Sequence, residues 1–285
     1  MRNAQYVTTS TGTDATFTPA TADDAIYLSE ADGTVTFMAY APYQPSATPG
    51  GLPGDIVVDA ALQVNPDPDE ARRQQEKIDF LYANGATASK SSPAVRFVKV
   101  DDANDHSFFH AMARLVLIIE SPAANGFDPE DVKRIESISL GGLETQRRFT
   151  FSEYGFGSNF VRESWRAEWD ITHAVNTYDS NPTDPATGKP VGTPQRTYTL
   201  IIPPQWPRDG ITLPAIPISI TLDGNVYKNS ADIKGNTNGP SFGFFANGKS
   251  YQYTIRLKKK SLEVTGATIT DWTVGNAGTG DAVWQ

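Results

Sequence analysis

The chain has 285 residues, 39% of them hydrophobic and 20% charged, with a formal net charge of −9. That size gives one large domain or two ordinary ones with a sizeable core, and the balance excludes a disordered chain; the longest apolar run, Leu115 to Ile119, falls far short of the roughly 20 residues a membrane helix needs. With no cysteine, disulfides, thiol catalysis and thiolate-bound metals are excluded, and the 22 acidic against 12 basic residues in 1–160 disfavour nucleic acid as a partner.

The first residues, MRNAQYVTTSTG, are polar and read as the start of a mature chain from which a leader has been removed. Val35, Phe37, Ala39 and Ala41 alternate with Thr36, Met38 and Tyr40, the period of a half-buried strand. Asp67-Pro68-Asp69-Glu70 places an N-cap, a proline at N1 and an acidic residue at N3 ahead of good helix formers. This predicts a helix of two to three turns ending near Ile78. Phe108 to Ile119 is apolar on both faces, as in a central sandwich strand, and Asp128-Pro129-Glu130-Asp131 predicts a single helical turn.

Ile135–Leu140, Arg147–Phe151 and Trp165–Ile171 read as further strands. A domain boundary is expected at Tyr154–Ser158, where glycines cluster and the charge balance changes to 12 basic against 11 acidic residues in 161–285. The division is therefore 1–157 and 158–285. Ile216, Ile218, Ile220 and Leu222 alternate up to Asp223-Gly224-Asn225, a hairpin turn signal. Tyr251, Tyr253, Ile255 and Leu257 form another alternating strand, which runs into Lys258-Lys259-Lys260, read as an edge or loop. Gly266 is a plausible bulge in the strand that follows. The class is all-β.

Chemistry was sought along the same path. His106 and His110 stand four apart, but on strand-like sequence, where that spacing does not gather ligands as it does on a helix; His110 is expected at a core edge, held by a hydrogen bond. Asp67, Asp69 and Glu70, and Asp179, Asn181 and Asp184, lack calcium-loop spacing and suit capping and turns. Gly155-x-Gly157 lacks the third glycine of a dinucleotide loop, and no nucleophile elbow or phosphate loop occurs. No catalytic residue, metal or cofactor is expected. Five tryptophans, Trp165, Trp169, Trp206, Trp272 and Trp284, offer either core filling or sugar-stacking platforms; core or interface is expected for Trp165 and Trp169. Thr177–Thr193 reads as a long loop of Asn, Asp, Pro and Gly.

Several strings taken together resemble the fimbrillin-like proteins of Bacteroidales, the subunits of type V pili. They are Val35-Thr36-Phe37-Met38-Ala39-Tyr40-Ala41-Pro42-Tyr43, Asp79-Phe80-Leu81-Tyr82-Ala83, Phe109-His110-Ala111-Met112, Ile138-Ser139-Leu140-Gly141-Gly142-Leu143, Ile201-Ile202-Pro203-Pro204-Gln205, and Gly248 to Leu257 leading to Ile269-Thr270-Asp271-Trp272. Their order from about residue 25 to 275 carries the resemblance. It implies two transthyretin-like β-sandwich domains in tandem on an exported lipoprotein precursor, located in a fimbrium or at the outer membrane. It also implies polymerisation by donor-strand exchange after an often arginine-specific protease removes the first strand.

The expected function is a structural pilus subunit or adhesin, not an enzyme. The alternative is a surface glycan-binding lipoprotein module. Expected partners are other pilus subunits, and host or bacterial receptors or glycans. Leu262, Val264, Ile269, Trp272, Val283 and Trp284 are the candidate donor-strand residues, since alternate apolar side chains would fill pockets along a neighbour's groove.

Overall fold

The computed structural model describes residues 3–9, 15–48, 51–125, 127–152, 155–161, 164–184, 186–205, 216–228, 245–258 and 261–272. In chain order its strands are β1 (Tyr6–Val7), β2 (Thr18–Pro19), β3 (Val35–Ala41), β4 (Ile56–Asp59), β5 (Leu81–Ala88), β6 (Phe109–His110), β7 (Ala113–Glu120), β8 (Ile135–Glu144) and β9 (Gln146–Ser152). They continue with β10 (Gly155–Phe160), β11 (Trp165–Asp170), β12 (Asn176–Asp179), β13 (Gln195–Ile202), β14 (Ile218–Leu222), β15 (Asn225–Lys228), β16 (Lys249–Lys258) and β17 (Ser261–Asp271). One α-helix, α1 (Pro68–Ile78), stands between β4 and β5. The fold is all-β.

Local chemistry accounts for the punctuation. Asp67 accepts from the Asp69 and Glu70 amides and so starts α1, whose Ala71 and Ile78 are buried. Asp128 and Asp131 form a reciprocal capping box around a 3-10 turn, Pro129–Arg134. Asp223 and Gly224 take φ of 49° and 70°, the left-handed pair that a two-residue hairpin between β14 and β15 requires. In β17 the pairing with β16 skips Thr265 beside Gly266, which is the bulge.

The larger sandwich packs a five-stranded sheet, ordered β12-β13-β7-β16-β17, on a four-stranded sheet, ordered β11-β8-β14-β15. Alternate residues of both sheets meet in one core: Leu115, Leu117, Tyr198, Leu200, Tyr253 and Ile255 from the first, Ile138, Leu140, Trp169, Ile218 and Ile220 from the second. The β7–β16 pair at its centre is parallel. Two three-stranded sheets, β3-β5-β6 and β10-β9-β4, make the smaller sandwich. Here Phe80 stacks on Phe149 at 4.4 Å, and Tyr40 packs on Phe151 at 4.6 Å.

Two segments run through both sandwiches. Residues 109–120 supply β6 to the small one and β7 to the large one, interrupted only by Ala111 and Met112. Residues 135–152 supply β8 to the large one and β9 to the small one, interrupted only by Thr145. The division expected at 157/158 therefore does not follow the sheets. Gly155 to Ser158 lie inside β10, paired with β9, and residues 113–144 belong to the same sheets as β11 to β17. Glycines and a charge break are local signals, whereas strand partnership is set by packing far along the chain. We expect that a single cut engineered between residues 161 and 164 leaves the fragments associated in native gel filtration, separating only in denaturant. Fragments that elute apart without denaturant would show that each half folds alone.

Candidate functional site

The small sandwich is open along one side. β3 is an outer strand of its sheet and β4 of the facing one, and no further strand pairs with either among the described residues. Val35 and Phe37 stand opposite Ala88 and Ala86, which are buried, yet both remain half-exposed; on the other face of β3 Met38 is half-exposed too, and Tyr40 packs into the small core. Val57 of β4 is 47% exposed. The loop after β3 and the approach to β4 enclose a shallow cavity of about 250 Å³ lined by Gln44, Pro45 and residues 53–57.

Tyr40 marks the edge of this opening. Its hydroxyl lies 2.9 Å from Gln44 O and 3.1 Å from Asn3 Oδ1, so the N-terminal segment touches the open side there. Burial raises the Tyr40 phenol pKa against the opposing effect of those hydrogen bonds, and burial alone raises that of Tyr82 on β5. On β5, Gly85 has φ of 84°, and a Cβ there would come within 2.8 Å of His106 Nδ1, which itself lies 2.8 Å from Asn84 O. That glycine is fixed by a close approach as well as by its backbone angle.

The joint between the sandwiches gathers residues from three of the strings noted in the sequence. Asp79 precedes β5, and its Oδ1 is 2.6 Å from Nδ1 of His110 on β6. His110 stacks on Trp272, which follows β17, with ring centroids 3.6 Å apart and planes 7° from parallel. The Arg114 guanidinium lies 5.6 Å from the Trp272 ring centroid and donates to Ser250 Oγ. Burial pushes the Arg114 pKa down, partly offset by the Asp79 charge. His110 is thus the hydrogen-bonded core-edge histidine expected. Among the described residues no group of three His, Asp or Glu is placed to hold a metal.

The structure separates the candidate donor residues. Leu262 is buried in the large core and Val264 packs against it, while Ile269 is 42% exposed and Trp272 only 8%. Except at the Thr265 bulge, β17 pairs antiparallel with β16 of its own chain along its whole length. Val283 and Trp284 lie outside the described residues, as do Trp206, Lys259 and Lys260. Trp169 is buried in the large core and Trp272 in the joint, so neither presents a flat face to a sugar. Asp179 and Asp184 accept from nearby amides in the loop after β12, which is turn chemistry as expected.

Two residues that sequence patterning passed over hold the joint. Gln63, fully buried, donates to Ala60 O and Ile201 O and accepts from the Ile201 amide, all within 2.8 Å. Gln205 likewise donates to Glu144 O and Pro203 O at 2.9 Å and accepts from the Glu144 amide at 3.0 Å. Each side chain pairs with backbone as a short strand would. Gln205 ends the Ile201–Gln205 string, whose pattern carries no sign of this role.

A family model described as fimbrillin-like matches residues 1–272. A crystal structure of a candidate cell adhesion protein from Bacteroides uniformis is similar over 95% of this chain and 85% of its own, with 20% identity and a TM-score of 0.61. A second, from Bacteroides ovatus, is similar over 91% of this chain and 75% of its own, with 20% identity and a TM-score of 0.53. No curated protein matches the sequence. With the match spanning nearly the whole chain, the protein belongs to the fimbrillin-like family, which makes it a structural protein rather than an enzyme, and it shares its fold with these structures.

Proposed function

We propose that the chain is a subunit of a cell-surface fimbrium that joins its neighbours by accepting an extended strand along the open side of its small sandwich. The observation that carries this reading is β3, an outer strand with no partner on its far side among the described residues and with Val35 and Phe37 half-exposed although they stand opposite buried alanines. An added strand would complete the backbone hydrogen bonds of that edge and cover those side chains, which is β-augmentation. Each apolar side chain so buried contributes on the order of 1.5–3 kcal/mol.

In this reading the donated strand comes from another subunit. Among the expected donor residues, Leu262 and Trp272 are already spent in the subunit's own core and joint. Withdrawing β17 would also uncover the edge of β16. The donor role therefore falls to the segment after Trp272, with Val283 and Trp284 as apolar anchors, and β17 stays with its sheet. Outer-membrane anchoring through a lipidated precursor accompanies the same reading.

Phe37→Asp, at a half-exposed position of β3 beside which the incoming strand would lie, is expected to abolish polymer formation from processed subunits. Circular dichroism should show that the variant remains folded, and electron microscopy should show no fibres. Fibres formed by this folded variant as readily as by the parent would overturn the reading.

A further inference from the structure

The outer edge of β17 closes the five-stranded sheet and carries no strand among the described residues. Natural sheet edges are protected by lysine, proline or inward-pointing charge. None of these occurs between Glu263 and Asp271, where the run is Val264-Thr265-Gly266-Ala267-Thr268-Ile269-Thr270. The bulge at Thr265 bends the strand before this run and leaves Gly266 to Thr270 regularly paired. At its two ends the carboxylates are matched: Glu263 lies 2.9 Å from Lys258, and Asp271 pairs with Lys249. A chain of net charge −9 thus presents a locally neutral edge.

The side chains add a directional clue. Ala267 and Ile269 stand opposite Tyr253 and Tyr251, which are buried, so both face the core side of the sheet. Ile269 is nevertheless 42% exposed, and every residue from Thr265 to Asp271 is exposed. A small residue and a large one therefore lie side by side on an unpaired, uncharged edge.

We propose that this edge pairs antiparallel with the same edge of a second copy of the chain, with the two-fold axis between the two Thr268 residues. In that register Ala267 of each copy opposes Ile269 of the other, small against large, and both isoleucines leave water. On the outer face Thr268 meets Thr268 and Gly266 meets Thr270, and cross-strand threonine pairs are favourable. Moving the axis to Ala267 sets Glu263 against Asp271, like charges opposite each other. Moving it to Ile269 sets Asp271 against Ala267. A slip of one residue turns Ile269 to the outer face. The contact is isologous and closes as a dimer. The other edge of this sheet, β12, offers no equivalent: it carries Asp179, and its Tyr178 is tied to Glu130.

The cysteine-free chain makes the test direct. In the proposed register a Thr268→Cys variant sets its two Cβ atoms about 4.5–5.5 Å apart, near the geometry a disulfide needs. Thr270→Cys sets them four residues apart along the strands, about 13 Å. Mild oxidation at high-micromolar protein is expected to cross-link Thr268→Cys about tenfold faster than Thr270→Cys or more, given that difference in reach. Adding Ile269→Lys to Thr268→Cys should remove that advantage while circular dichroism remains unchanged. Equal cross-linking at the two positions, or cross-linking indifferent to Ile269→Lys, would overturn the proposal. The surface is distinct from the open side of the small sandwich, so fibre formation by the Ile269→Lys chain is read separately and bears only on the assembly reading.

Discussion

Trp272→Ala is expected to destabilise the protein by about 3–5 kcal/mol, the usual cost of emptying a buried tryptophan site. Trp272 is 8% exposed, shares a core with Val58, Ile78, Phe80 and Phe149 of the small sandwich, and yet belongs by sequence to the end of the large one. Its removal uncovers the face of His110 and withdraws the ring beside Arg114. Urea unfolding followed by circular dichroism measures the loss. Because residues 109–120 and 135–152 pass through both sandwiches, the loss should appear as a shift of one transition rather than as early melting of the small sandwich alone. A change below about 1 kcal/mol would mean that the stack is dispensable.

Gln63→Leu should be at least as costly, and for a different reason. The substitution keeps the volume and adds apolar surface, so packing alone predicts little change. It also strips partners from the Ile201 amide, the Ile201 carbonyl and the Ala60 carbonyl, which meet the Gln63 amide at 2.7–2.8 Å in a buried site. Each stranded buried group costs about 1–3 kcal/mol, so the three together give about 3–9 kcal/mol. Hydrogen exchange at the Ile201 amide offers a local check: its protection should fall to that of a frayed strand end while the centre of β7 remains protected. Retained protection at Ile201 would show that another acceptor replaces Gln63.

How much of this was legible depended on how far along the chain each interaction reaches. Helix α1 was readable because Asp67, Pro68 and Glu70 act on amides two or three residues away. The hairpin at Asp223–Gly224 was readable for the same reason, and the central position of β7 followed from its unbroken apolar run. The glycines at 155 and 157 looked like a linker because backbone freedom is a local property; their pairing with β9 is decided by the sheet. His110 could be assigned a hydrogen bond, but not its partner 31 residues earlier nor the tryptophan stacked upon it. Gln63 gives no signal at all: it is a single polar residue in a short turn, and the partners that make it matter are the Ile201 backbone atoms 138 residues away. β3 is legible as an alternating strand, but its lack of a second neighbour among the described residues is a fact about topology.

In the proposed fimbrium the two shared segments would have a mechanical consequence. Where tandem domains meet at a flexible linker, tension first straightens the linker, and each domain then yields separately. Here residues 109–120 and 135–152 carry the covalent backbone straight across the joint, in opposite sheets. A pull directed along them bears on ladders whose hydrogen bonds lie roughly across the strands, so many bonds must give way together rather than one after another. As a subunit of the proposed fimbrium the chain would pass load through both sandwiches together, with Trp272 and Gln63 as the pins that keep its two sections from shearing past each other.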